Sequence, residues 1–245
     1  MRIIDAIWEK RNLGLVTQEI EIENDDSPEK VEKALKESDA DYQVVKAPVA
    51  RLDLYSLLTE YGFFFAEASI RVSHNLKNVA CPEMIQRMVD RISFSEMSEE
   101  ETDIMIENIR QGMFQTDRVI LDPFFTRKQA YDRYILWMKD EKERGAKLFT
   151  YKYKEEPIGF SCMKETKTGC FYPVLGGVYN MGKALPLGSA IVYKQLDIAK
   201  SLGGKMLYTF ISSNNPAVVR VYSGAGYGID SIKNVFVKHT CEMKE

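Results

Sequence analysis

The sequence predicts a mixed α/β (α+β) fold, a mixed sheet with helices on its faces. Three observations point there. The last third alternates strand-like and helix-like segments. Residues 206–211 are almost continuously apolar, as in a central strand buried on both faces. Before them, two segments with an S/T-x-x-E/Q pattern open amphipathic helices and lead into antiparallel strands.

In chain order, residues 3–8 and 15–22 predict two strands. Ser27 at an N-cap and Pro28 at the first helical position open a helix to about residue 37. Residues 42–45 predict a short buried strand, and Leu52, Tyr55 and Leu58 keep helical spacing until Gly62, a natural stop. Residues 63–72, aromatic and β-branched, predict a strand, with Phe63, Phe64 and Phe65 expected in the core. Residues 75–93 carry no clear period; Met84, Met88 and Ile92 suit a short helix or the start of a strand. The boundary between two units is set there, giving a smaller N-terminal lobe, 1–85, and a C-terminal domain, 86–245.

Beyond it, Ser98 with Glu101 and Thr126 with Gln129 form capping boxes. The first helix gathers Met105, Ile106, Ile109 and Met113 on one face. The second gathers Tyr131, Tyr134, Ile135 and Met138 and ends at Gly145. Residues 147–153 and 158–164 predict antiparallel strands joined through Glu155, Glu156 and Pro157, and residues 170–178 a further strand. A helix over 188–202 has an apolar face wide enough to pack on a sheet. After strand 206–211, Asn215 and Pro216 open a helix that Gly224 and Gly226 stop, and residues 235–239 close as a strand. The runs 42–72 and 208–237 echo each other. Each has a proline near the helix start (Pro48, Pro216), then an aromatic (Tyr55, Tyr222), then Gly-Phe or Gly-Tyr.

Composition narrows the function. With 33 basic and 36 acidic residues, the net charge of -3 gives no electrostatic reason to expect nucleic acid or an anionic membrane as partner. No apolar run approaches the ~20 residues that span a bilayer, and the start, Met1-Arg2-Ile3-Ile4-Asp5, becomes charged too soon for a signal peptide. Cys81, Cys162, Cys170 and Cys241 have neither CxxC spacing nor disulfide-scaffold density. Reduced thiols and a cytoplasmic location are expected. His74 and His239 are far apart in sequence with no ligand cluster around them, so no metal site is expected.

Two segments carry chemistry. In Leu185-Pro186-Leu187-Gly188-Ser189-Ala190, a glycine and two small residues open a helix, whose free N–H groups and positive dipole end can cradle an anion. The plainer alternative is a tight connection in which Gly188 merely begins the helix. In the second, Asn215 can cap a helix and Tyr222 lies seven residues on, two turns along the same face. If Asn215 points at a ligand, Tyr222 reaches the same groove; an ordinary cap and a core tyrosine are the alternative. Arg118 and Asp122 are candidates for binding an acceptor, against an ion pair or a helix-end contact.

The pattern N-x4-R-x-Y-x-x-x-G-(F/Y), after a buried strand and a G-x-A helix start, resembles the GNAT superfamily of N-acyltransferases over about residues 92–239. Within it the similarity is greatest to TDP-fucosamine acetyltransferase and its two-lobed relatives. It is carried by Phe114-Gln115-Thr116-Asp117-Arg118, Asp122-Pro123-Phe124-Phe125, Tyr134, Trp137, the stretch from Trp8 to Gly14, and Tyr61-Gly62-Phe63. The resemblance implies a GNAT acyl-CoA N-acyltransferase fold preceded by a partial GNAT-like lobe, and acetyl-CoA as cosubstrate. The pyrophosphate turn would fall on Leu185, Leu187, Gly188, Ser189 and Ala190, where Leu185 replaces the usual Gln or Arg and Pro186 removes a donor. Asn215 would contact CoA, and Val178 with nearby backbone would hold the thioester where strands splay. Tyr222 would protonate the departing thiolate after direct attack by a neutral amine.

The leading expectation is an amino-sugar N-acetyltransferase, with a small-molecule amine, free or nucleotide-linked, as acceptor. The alternatives are another amine (antibiotic, polyamine, amino acid or protein N-terminus) or a non-catalytic acyl-CoA-binding module. A methyltransferase-type α/β domain fits less well, because no glycine-rich strand–helix step comes early. A homodimer is compatible with the sequence.

Overall fold

The computed structural model describes residues 1–179 and 187–241. The N-terminal part contributes β1 (Arg2–Asp5), α1 (Ile7–Asn12), β2 (Thr17–Glu21), α2 (Pro28–Glu37), β3 (Tyr42–Pro48), α3 (Asp53–Glu60) and β4 (Phe64–Asn75). Then follow α4 (Glu83–Val89), β5 (Ile92–Glu96), α5 (Glu99–Arg110), α6 (Arg118–Leu121), α7 (Arg127–Glu143), β6 (Lys147–Tyr153) and β7 (Glu156–Lys167). The chain closes with β8 (Cys170–Val178), α8 (Leu187–Ser201), β9 (Met206–Ser212), α9 (Pro216–Gly224) and β10 (Gly228–His239). The ten strands of the described residues share one mixed sheet, in the order β1-β2-β3-β10-β4-β9-β8-β7-β6-β5.

Local chemistry explains most boundaries. Ser27 Oγ accepts from Lys30 N at 3.3 Å, capping α2. Ser98 and Glu101 close their box reciprocally, at 3.2 and 2.9 Å, and Thr126 with Gln129 does the same at the start of α7. Ser98→Ala is expected to cost about 1 kcal/mol, read as a lower denaturant midpoint at unchanged slope.

Strand alternation buries side chains on both sides of the sheet. Leu148, Phe160, Cys162 and Val174 meet α5 and α7 on one face. Phe149, Tyr151, Met163 and Leu207 meet α4 and α8 on the other. Val45, Ala47 and Phe236 pack under α2 and α3. The result is a three-layer α/β/α arrangement.

The echo seen in the sequence is a structural repeat. β3–α3–β4 and β9–α9–β10 have the same layout, and β4 and β10 lie antiparallel side by side at the sheet's centre. β10 also pairs with β3, and β4 with β9, so each unit's last strand lies between two strands of the other. Gly62 and Gly226 occupy matching turns after α3 and α9, at φ of +80° and +82°, and each precedes a buried aromatic, Phe63 or Tyr227. The sheet therefore runs unbroken across the expected 85/86 division.

Two local expectations need correction. Residues 3–8 do not form one strand: β1 stops at Asp5, and α1 follows, turning Glu9 and Asn12 inward. Of the three phenylalanines only Phe63 is buried; Phe64 and Phe65 remain 45% and 54% exposed beside the register shift between β4 and β10. The unreadable stretch before residue 93 resolves as both of its alternatives in turn, helix α4 and then strand β5.

Candidate functional site

A gap opens between two parallel strands. β2 and β3 stay paired from Thr17↔Tyr42 to Glu21↔Lys46. The corresponding pair in the repeat, β8 and β9, is joined only at Cys170↔Met206 and Phe171↔Leu207. Pro173 explains why. It has no N–H for the ladder, and its carbonyl is taken by the Thr209 hydroxyl at 3.0 Å rather than by a backbone amide. β8 then shifts register against β7 between its pairings at Met163 and Cys162, and stays with β7 as far as Gly159↔Val178.

The gap is a cavity of about 650 Å³. Its walls are Gly176, Gly177 and Val178 on β8, with Phe210, Ile211 and Ser212 on β9. Gly188, Ile191 and Gln195 of α8 line it, as do Asn215, Val218 and Tyr222 of α9. From the opposite layer come Phe114, Asp117 and Tyr134.

Several polar groups converge there. Tyr179 N–H donates to Ile158 O on β7 at 2.9 Å. Successive residues of a strand face opposite edges, so the Val178 N–H is directed to the other edge, which β9 has left. Among the described residues α8 begins at Leu187, and the first N–H groups of a helix are free to face a ligand. A Cβ built on Gly188 would meet no atom of the described residues within 4 Å, so their packing does not dictate that glycine. These features fit an anionic, elongated group lying across the α8 start with its end in the gap. Leu187, Gly188 and Ser189 are half-buried and Ala190 is buried; Leu185 lies outside the described residues.

Tyr222 is buried, and its hydroxyl donates to Gln195 Oε1 at 3.0 Å. Burial raises the phenol's pKa well above the ordinary value, opposed in part by the Gln195 hydrogen bond, so it stays protonated at neutral pH. Asn215 caps α9, accepting from Val218 N at 3.1 Å, while lining the same cavity. The structure thus brings Val178, Gly188, Asn215 and Tyr222 together.

Arg118 and Asp122 are not among the residues lining the cavity. Arg118 is held between Glu19 at 3.7 Å and Glu67 at 3.5 Å. Asp122 accepts from Phe124 N at 3.0 Å and meets His239 Nε2 at 2.7 Å. His239 stacks on Phe124 and Tyr42, and His74 packs against Tyr227. Among the described residues no group of His, Cys, Asp or Glu is arranged to hold a metal, and no helix is long and apolar enough to cross a membrane.

The sequence reading missed Gln195 as Tyr222's partner. Its signal was spacing: Gln195 lies seven residues after Gly188, so the two share a helix face. Pro173, the local cause of the gap, was equally visible and went unused.

No protein-family model matches the sequence, and no curated protein matches it. Solved structures do resemble it. A functionally unknown conserved protein of Staphylococcus epidermidis superposes with a TM-score of 0.65 at 10% identity, over 92% of this chain and 85% of that one. A GCN5-related N-acetyltransferase of Kribbella flavida gives 0.54 at 12% identity, over 92% and 82%. Another, from Sphaerobacter thermophilus, gives 0.56 at 12% identity, over 83% of this chain and 61% of that one. At these identities the likeness is one of fold, and the fold is that of the GCN5-related N-acetyltransferases.

Proposed function

We propose that this chain is an N-acyltransferase that passes the acetyl group of acetyl-CoA to a primary amine on a small molecule. The observation that carries the reading is the gap between β8 and β9, with a free strand edge at Val178, a helix start at Gly188 and the Tyr222 phenol around one cavity.

Bound acetyl-CoA would supply the activated thioester carbonyl. The chain's own groups would do the rest. The Val178 N–H would donate to that carbonyl oxygen, a contact that strengthens as charge develops there. Backbone N–H groups of Leu187, Gly188, Ser189 and Ala190 would face the pyrophosphate, and Asn215 would contact the chain between. The neutral amine would form the C–N bond as the C–S bond breaks; Tyr222 would give its proton to the leaving sulfur, and the proton shed by the new amide nitrogen would restore the phenol. Burial raises the pKa of the thiolate in the same dry gap as it does that of the phenol, which keeps the transfer within reach.

An amino sugar, free or nucleotide-linked, is the first acceptor class to test, because the motif around Phe114 and Asp117 is what resembled an amino-sugar enzyme. The test is thiol release from acetyl-CoA with a panel of amino sugars, polyamines and amino acids, with the product identified by mass. Amine-dependent release with formation of the amide is expected. Acetyl-CoA binding with no release for any acceptor would instead favour a non-catalytic acyl-CoA-binding module.

A further inference from the structure

We infer that Asp117 is the residue that selects a cationic amine, holding the acceptor's ammonium group at the α7 side of the cavity. The inference deepens the transferase reading, and rests on it for the fate of the bound amine. Asp117 is the one charged side chain among the described residues lining the cavity; the others are apolar, aromatic or neutral polar. A half-buried carboxylate among apolar walls attracts a cation more strongly than one in open water does.

Its geometry leaves that charge available. Asp117 caps α6, with Oδ1 accepting from Val119 N at 2.8 Å. Among the described residues Asp117 forms no ion pair; the Tyr134 phenol beside it shares a hydrogen bond with the carboxylate, a neutral partner that leaves the charge in place. The cations nearby are already matched: Arg133 donates to both oxygens of Glu9 at 3.0 Å, and Arg118 lies between Glu19 and Glu67. Burial first, then the charge of Asp117, pushes the Tyr134 phenol well above its ordinary pKa, so Tyr134 stays neutral beside it. Phe114 and Tyr134, with ring centroids 4.5 Å apart, wall the same end and would present aromatic surface to a bound ammonium and its carbon skeleton.

An ammonium here would donate to Oδ2, while Phe114 and Tyr134 cover its carbon-bearing side. A hydroxyl in its place could donate to the same oxygen but carries no charge, so alcohols that match the amines in shape should bind more weakly.

The experiment is calorimetric binding of matched pairs, glucosamine with glucose and 2-phenylethylamine with 2-phenylethanol, with and without CoA. Wild type is compared with Asp117→Asn. Asn retains a side-chain oxygen to cap α6, so the variant removes charge and leaves the cap, and an unchanged melting temperature confirms it. At least one amine should bind wild type more tightly than its alcohol and lose about 30-fold in Asp117→Asn, the size of one charged hydrogen bond. No amine preferred over its alcohol, or a preference kept by Asp117→Asn, would overturn the assignment. Absence of CoA binding with amine selectivity intact would count against the transferase reading instead.

Discussion

Replacing Tyr222 with Phe is expected to lower kcat for amine-dependent thiol release by about 10²- to 10⁴-fold, the range for loss of a positioned proton donor. Affinity for acetyl-CoA should stay within about threefold, since cofactor contacts are assigned to backbone and Asn215. The variant also leaves Gln195 Oε1 without its 3.0 Å donor inside the protein, which should cost about 1–3 kcal/mol of stability. Kinetics must therefore be measured well below the variant's melting temperature. Unchanged turnover would remove Tyr222 from the chemistry and leave it a core tyrosine.

A larger effect on folding is expected at Glu9. Its carboxylate is buried and accepts from Nε and Nη2 on one edge of the Arg133 guanidinium, linking α1 to α7. Glu9→Ala would strand a buried arginine charge, at a cost of about 3–5 kcal/mol. Adding Arg133→Met should recover much of that loss, because the desolvation penalty leaves with the charge. Chemical denaturation of the two variants decides the matter. A loss below about 1 kcal/mol for the single variant would mean that water reaches Arg133 readily.

The elements read correctly from sequence are those whose cause is local. Ser98 with Glu101, Thr126 with Gln129, Ser27 before Pro28, and Asn215 before Pro216 each contain their own reason for a helix start. Gly62 and Gly226 each contain the reason for a stop. α1 was missed because it is short, and its inward residue, Glu9, is polar and finds its partner 124 positions away. The insertion of β10 between β3 and β4 leaves no local trace, since strand pairing is decided by which apolar faces meet.

The site divides in the same way. Gly188 is legible as the glycine of a helix-opening turn, Asn215 as a cap and Tyr222 by its seven-residue spacing from Asn215, and the three line one cavity. The fold expected from the resemblance is the fold observed. For Arg118 the sequence left acceptor binding and an ion pair open; its side chain is taken up by Glu19 and Glu67, which lie 99 and 51 residues away in sequence. Asp117, its neighbour, received no role because a cap residue looks ordinary until the cavity around it shows that no other charge is present.

The most direct test of the account is a calorimetric titration of acetyl-CoA into wild type and into Ala217→Trp. Ala217 is exposed on the first turn of α9 and lines the cavity, so a bulky side chain there should block entry without disturbing the core. Stoichiometric binding to wild type is expected, with at least about tenfold weaker binding to the variant, about 1.4 kcal/mol, at equal melting temperatures. No binding to wild type, or equal affinity in both proteins, would contradict the placement of acyl-CoA between β8 and β9.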